Sequence, residues 1–363
     1  MDDLVCSGCS LLCDDVSAIV EDGEIKSLGL CRLGHVHLTA SLAVQKPTAI
    51  IRENGKEREV SLEDGLKHAS EILKSDETPL LYGWSGSSNE TIKEGLLLAE
   101  SLEVGFHTST ELGARQSMSH DIHKYNLEAD LEYARNNGEF IIYWGTDPTE
   151  SLHRHPSRFA VLPCGDKIPE GVESRTIGVV DVRETETMKM ANHRFKIPIG
   201  SDVELIESIT GELSGASSIT GPVLGISPSE VIGFVRGLQK SDCTVIFYGS
   251  GVVNSGEAEK NLSAFAKLVE TLKGLGKEAY VLPMFPESNT MGVIAATKDR
   301  EIESGGLHKI MSDETKTVVV VEDDALANLP GPAAKSLASK QIIFIGPPGT
   351  LTGSVAAVSL IFP

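Results

Sequence analysis

Thr317-Val318-Val319-Val320-Val321 is a run of five strand-forming residues with no charged position among them. A strand with one wet face alternates polar and apolar residues. One without alternation is covered on both faces, the usual state of strands in parallel sheets. The run therefore predicts a central strand flanked by helices. Working outward, short apolar runs recur at 79–84, 139–144, 175–182, 243–248, 278–282 and 341–345. Helical spacing occupies 90–102, 202–213, 262–275 and 332–339, and a further helix follows Ser61, where Leu62, Leu66, Ala69, Ile72 and Leu73 recur. Alternation of strand and helix predicts open α/β architecture in two units. The Ser/Gly-rich stretch 214–221 reads as a linker.

The amino-terminal segment has a different character. Cys6, Cys9, Cys13 and Cys31 place four of the six cysteines in the first 31 positions. Between the third and fourth, residues 16–30 alternate around Asp22-Gly23, a hairpin turn signal. Two close thiolates, a third one helical turn on, and a fourth returned by a hairpin can converge on a 4Fe-4S cubane. Zinc accepts four thiolates as well, usually as two C-x2-C pairs, of which only one is present. Cys164 and Cys243 stand alone and read as small buried hydrophobes.

The chain has 363 residues and a formal charge of −20, from 52 acidic against 32 basic side chains. Such a surface repels phosphate backbones and anionic lipid, so neither nucleic acid nor membrane is an expected partner. No apolar run approaches the ~20 residues of a membrane span. The start, Met1-Asp2-Asp3-Leu4-Val5-Cys6, has no basic residue and no apolar signal core, which predicts a cytoplasmic protein.

Cys6-Ser-Gly-Cys9-Ser-Leu-Leu-Cys13-Asp-Asp followed by Cys31-Arg-Leu-Gly-His35 resembles the head of the B subunit of formylmethanofuran dehydrogenase, of the molybdopterin oxidoreductase superfamily. The resemblance continues in order through Tyr82-Gly83-Trp84-Ser85, Tyr143-Trp144-Gly145-Thr146-Asp147-Pro148, His153 to Phe159, Val179 to Thr187, Ile199-Gly200-Ser201-Asp202 and Phe247-Tyr248-Gly249-Ser250-Gly251. It implies a small β-rich iron–sulfur head followed by two open, mostly parallel α/β domains, similar to formate dehydrogenase and dimethyl sulfoxide reductase without their carboxy-terminal cap domain. The expected division is a head at 1–58, a discontinuous domain at 59–137 plus 240–363, and an inserted domain at 138–239. The implied activity is ferredoxin-linked interconversion of carbon dioxide and formate, coupled to formylmethanofuran formation. The implied cofactors are a 4Fe-4S cluster and a molybdopterin guanine dinucleotide with tungsten or molybdenum. Implied partners are the other members of such a complex, one of them carrying the cap domain, and a ferredoxin-type carrier.

Several residues are candidates for gripping the pterin. Gly145 and Gly249 follow expected strands, at the carboxyl edge where open sheets bind ligands, and their amides can approach a pyrophosphate. Thr146, Asp147 and Arg183 stand in the same motifs, and Asp181 and Asp202 can accept hydrogen bonds from a guanine edge. Read without the resemblance, the two glycines are turn glycines and Asp202 an N-cap.

The chain departs from the family at the reacting centre. Leu112 occupies the position of the family's metal-binding cysteine or selenocysteine, Gly113 that of the histidine after it, and Phe285 that of an active-site arginine. Losing a soft ligand and a cation together weakens metal-centred reduction. The departure therefore opens a second reading, an electron-transfer or scaffold component without its own active site, similar to the corresponding chain of formyltransferase/hydrolase complexes.

Overall fold

The computed structural model describes residues 4–21, 24–44, 46–109, 129–297 and 305–362. The expected turn at Asp22-Gly23 and the positions of Leu112 and Gly113 lie outside the described residues. The chain forms two compact units, Met1–Glu111 with Glu287–Pro363, and Leu112–Pro286.

The first unit opens with the head. β1 (Ser17–Glu21) pairs antiparallel with β2 (Glu24–Leu28), as the alternation predicts. The helix Arg32–Ala43 follows Cys31 directly. The unit then builds a seven-stranded sheet from β3 (Thr48–Glu53), β4 (Lys56–Val60), β5 (Leu80–Gly83), β6 (Phe106–Thr108) and three later strands. Those three are β12 (Thr317–Val321), β13 (Gln341–Gly346) and β14 (Val358–Ile361), and the order is β4-β3-β14-β13-β12-β5-β6. All neighbours are parallel except β3 with β4 and with β14.

The valine run lies at the centre of this sheet, and its burial explains its composition. Val319 and Val321 face a cluster with Ile92 and Leu96 of the helix Asn89–Leu102 and Ile72 of the helix Leu62–Lys74. Val318 and Val320 face the other side, against Ile310, Ala333 and Leu337. All four valines are at most 2% exposed. At about 1.5–3 kcal/mol for each fully buried aliphatic side chain, the run is a main contributor to this unit's stability.

The second unit carries β7 (Phe140–Trp144), β8 (Thr176–Asp181), β9 (His193–Lys196), β10 (Cys243–Tyr248) and β11 (Glu278–Pro283) in a fully parallel sheet of order β11-β10-β7-β8-β9. The helices Asp202–Ser214, Pro228–Lys240 and Ala258–Gly274 bury Ile206, Phe234, Phe265 and Leu268 in one core with Ile142, Trp144 and Ile246.

The expected domain division differs from this topology. β10 and β11 hydrogen-bond into the same sheet as β7, so 243–283 lies in the second unit and not with the first. Strand–helix alternation gives the class of a sheet but not which sheet a given strand joins. The stretch 214–221 is no boundary either: it follows a helix inside the second unit, where Ile219 packs on the core.

Candidate functional site

The head gathers its cysteines by backbone bonds. The Cys6 amide donates to the Cys13 carbonyl at 2.8 Å, and the Leu12 amide to the Cys9 carbonyl at 3.2 Å. Leu12 takes φ +41°, a left-handed turn that brings Cys13 back beside Cys6. On the far side of the hairpin, the Gly34 amide donates to Cys31 Sγ at 3.4 Å. Gly34 also lies against Cys6, where an added Cβ would stand 2.8 Å from Sγ, so only glycine fits without displacing the sulfur. Cys9 and Cys13 are buried, Cys6 and Cys31 half-buried. Burial chiefly pushes the Cys9 thiol up to about 11; a bond from the Leu11 backbone opposes this, and charge on Cys13, Cys6 and Cys31 adds to it.

Cys6, Cys13 and Cys31 therefore all stand near enough to Cys9 to bear on its charge. Among the described residues no three His, Cys, Asp or Glu side chains are arranged to hold a metal ion. A cubane gives each thiolate its own iron, and four soft donors with an amide directed at one sulfur are the chemistry it takes. The donor types, four thiols, are those such a cluster takes.

The carboxyl edge of the second sheet brings the pterin candidates together, and their polar groups are engaged. The Gly145 amide donates to Val180 at 2.8 Å, the Gly249 amide to Trp144 at 3.1 Å, and the Gly251 amide to Gly145 at 3.0 Å. The loops after β7 and β10 thus interlock: a Cβ on Gly145, at φ +60°, would stand 2.8 Å from the Val252 nitrogen, and one on Gly249 2.6 Å from Thr146 Cβ. Their lack of side chains serves this close approach. Thr146 Oγ1 points to Met284 Sδ at 3.9 Å.

Asp147 is buried and accepts from Thr149 Oγ1 at 2.6 Å, from the Glu186 amide at 3.1 Å and from Thr187 Oγ1. Burial pushes its carboxyl up, but these bonds outweigh it and leave the group below the usual carboxylate range. Asp181 accepts from the Arg183 amide at 3.1 Å, and Arg183 pairs with Glu150 at 3.3 Å in solvent. Asp202 opens its helix and accepts from Trp144 Nε1 at 2.7 Å. Its carboxyl is raised, by burial first and by charge on Asp181. Phe285 is half-buried just beyond β11.

Sequence reasoning missed one feature. A cleft of about 550 Å³ in the first unit joins Ser7, Gly8 and His37 of the head to Glu287, Glu322, Asp323 and Asp324. Glu322 and Asp323 sit where β12 ends, the point at which parallel sheets present side chains to ligands. The signal was the acidic triplet following a fully apolar strand.

No family model matches the chain. A curated protein from Methanocaldococcus jannaschii, the B subunit of tungsten-containing formylmethanofuran dehydrogenase 2, is 27% identical over 295 residues, 80% of this chain and 67% of that protein. A protein of the same name from Methanococcus maripaludis is 26% identical over 258 residues, 69% of this chain and 59% of that protein. The chain therefore spans about three-fifths to two-thirds of the length of the curated relatives it matches.

Among solved structures, a chain of the formyltransferase/hydrolase complex from Methylorubrum extorquens, determined with methylofuran, superposes with TM-score 0.60 at 15% identity, over 86% of each chain. Acetylene hydratase from Pelobacter acetylenicus gives 0.71 at 13% identity, over 99% of this chain and 62% of that one. At these identities the structural likeness is one of fold. The sequence resemblance has its counterpart in curated relatives: over most of its length the chain is homologous to two proteins named as the B subunit of tungsten-containing formylmethanofuran dehydrogenase 2.

Proposed function

We propose that this chain is a component of a formylmethanofuran dehydrogenase type of complex, similar to its B subunit, and that its own task is to hold a 4Fe-4S cluster on Cys6, Cys9, Cys13 and Cys31. The observation that carries this reading is the gathering of four thiols around one turn and one helix start. When bound, the cluster supplies a one-electron relay between a ferredoxin-type carrier and the rest of the complex. The residues of the chain do the rest. Four thiolates hold the cluster, the Gly34 amide supports the charge on Cys31, and burial of Cys9 and Cys13 limits water. Partner chains, one carrying a cap domain, complete the assembly, which acts on carbon dioxide and formate.

A molybdopterin guanine dinucleotide fits this chain less well. At Gly145, Thr146, Asp147, Asp181, Arg183, Asp202 and Gly249 the polar groups are bonded within the protein, and the cleft beside the head is acidic where a pyrophosphate needs donors. No step is routed through a pterin. With Leu112 and Phe285 at the family's reacting positions, these observations favour the electron-transfer reading over a catalytic centre in this chain.

The experiment is Cys9→Ser in anaerobically produced protein. Paramagnetic resonance of the dithionite-reduced wild type shows an iron–sulfur signal that the variant loses or converts to a three-iron form. An unchanged signal in the variant removes Cys9 from the ligand set and contradicts the assignment.

A further inference from the structure

The dipeptide Asn-Gly occurs twice in the chain, at Asn54-Gly55 and at Asn137-Gly138. Asparagine is a thermolabile residue, and a glycine after it leaves the following amide nitrogen open to close approach. The two sites share their local chemistry and differ in their surroundings. Asn54-Gly55 forms the two-residue turn between β3 and β4, with φ +50° and +72°, and the last pair of that ladder is Glu53 with Lys56. Positive φ at both positions is what such a hairpin turn requires. All four residues are exposed. Among the described residues the Asn54 carboxamide has no hydrogen-bond partner and the Gly55 amide donates to no acceptor. No atom comes within 4 Å of the place a Gly55 Cβ would take.

Asn137-Gly138 closes the helix Leu131–Asn137 and is tied at three points. The Gly138 amide donates to the Ala134 carbonyl at 2.9 Å, Asn137 Nδ2 to the Tyr133 carbonyl at 3.1 Å, and Arg175 Nε to the Gly138 carbonyl at 3.0 Å. Gly138 is buried, and a Cβ there would stand 2.7 Å from the Ala134 oxygen.

We propose that Asn54 is a site of spontaneous deamidation, with water as co-reactant, and that the fold protects Asn137 from the same reaction. In the first step the Gly55 amide nitrogen gives up its proton and attacks Asn54 Cγ. A C–N bond forms, the bond from Cγ to Nδ2 breaks, and ammonia leaves with one added proton. The product is a cyclic imide. Water then opens either of its two carbonyls and leaves aspartate or isoaspartate at position 54. Nothing is oxidised or reduced.

The attack needs the asparagine to leave its folded backbone conformation, and the surroundings decide what that costs. Opening the hairpin tip undoes the last pair of an edge ladder whose side chains stand in water, a local event of low free energy. Opening at Asn137 strips the buried Arg175 guanidinium and the Gly138 amide of partners. The consequence also follows from the turn. Isoaspartate carries the main chain through its own Cβ, which lengthens a turn of two residues and removes the geometry that pairs β3 with β4. Aspartate keeps the turn, since Asp-Gly suits it as Asn-Gly does, and adds a negative charge. The reaction is a slow, irreversible mark on the edge strand that leaves the buried strands of the sheet in place.

The test is peptide mass mapping of the full-length chain aged in warm, mildly alkaline buffer, both folded and in urea. In folded protein the peptide carrying Asn54 should gain the mass of an amide turned to an acid about tenfold faster, or more, than the peptide carrying Asn137. In urea the two rates should converge, because only the fold distinguishes the sites. Gly55→Ala, read in urea so that folding plays no part, should slow conversion at 54, as its methyl hinders the attacking nitrogen. Equal rates at the two sites in folded protein overturn the proposal, and so does a ratio that urea leaves unchanged. Undiminished conversion in Gly55→Ala overturns the route through that nitrogen.

Discussion

Arg175 shows how a single buried cation is tolerated without a carboxylate. It is 5% exposed, and its guanidinium donates to the Gly138 carbonyl at 3.0 Å, to Val161 at 3.2 Å, and to the carbonyls of Pro163 and Arg135. Four carbonyls share the charge, and burial still lowers the group's proton affinity. Removing the fork leaves buried acceptors without donors, at ~1–3 kcal/mol for each that water does not reach. Arg175→Met should therefore destabilise the second unit by about 3–5 kcal/mol, seen as a lower urea midpoint of the full chain. An unchanged midpoint would show that water replaces the fork.

Asp147 makes a second prediction at this scale, in pH. Its folded carboxyl is held below the ordinary range, so its contribution to stability is fully present above the unfolded value of about 3.9 and is lost as pH falls through the folded value. Asp147→Ala should cost stability at neutral pH, and the gap to wild type should narrow in acid below about pH 4. A gap that stays constant through that range would contradict the hydrogen-bond account. Nothing in the sequence marked Asp147 as the knot between the loops after β7 and β8. Its partners Glu186 and Thr187 lie about 40 positions away, and sequence spacing says nothing of such pairs.

Among the elements, the interlocked loops after β7 and β10 are a test of close approach. Gly145→Ala forces a left-handed backbone, at roughly 1–2 kcal/mol, and presses a methyl on the Val252 amide, at about 1–3 kcal/mol. Gly200 also has positive φ, +78°, but faces open space, so Gly200→Ala should cost only the backbone part. Thermal melts that rank the two alike would contradict the packing role of Gly145. These glycines were legible as loop glycines at a sheet edge. What they approach was not, because β10 follows β7 by about a hundred residues and the pairing is set in three dimensions. The valine run was legible in full, since composition alone reports two covered faces. β9 and β14 were not: each has four residues, too few to establish a period. β3 and β4, joined through Asn54-Gly55, were not legible either. β4, Lys-Glu-Arg-Glu-Val, is an edge strand whose side chains are almost all exposed, so charge masks it.

At the scale of the whole molecule, the fold is shared with a chain of the formyltransferase/hydrolase complex and with the longer acetylene hydratase. Among the described residues no helix is long and apolar enough to cross a membrane. On the electron-transfer reading proposed above, formate chemistry lies outside this chain, where the sequence resemblance puts Leu112 and Phe285 at the reacting positions. The protein should therefore oxidise formate negligibly with viologen dyes, while its cluster still reduces chemically. Turnover in the range of roughly 1–10³ per second, typical of competent enzymes, would contradict this. The return of Cys13 beside Cys6 was suggested by their spacing, because residues close in sequence carry their own geometry. The cleft was not, because it brings residues between 7 and 109 together with residues between 287 and 350. The central claim is tested most directly by counting iron, acid-labile sulfide and zinc in protein purified without oxygen. The account predicts about four iron and four sulfide per chain. Stoichiometric zinc without iron would contradict it.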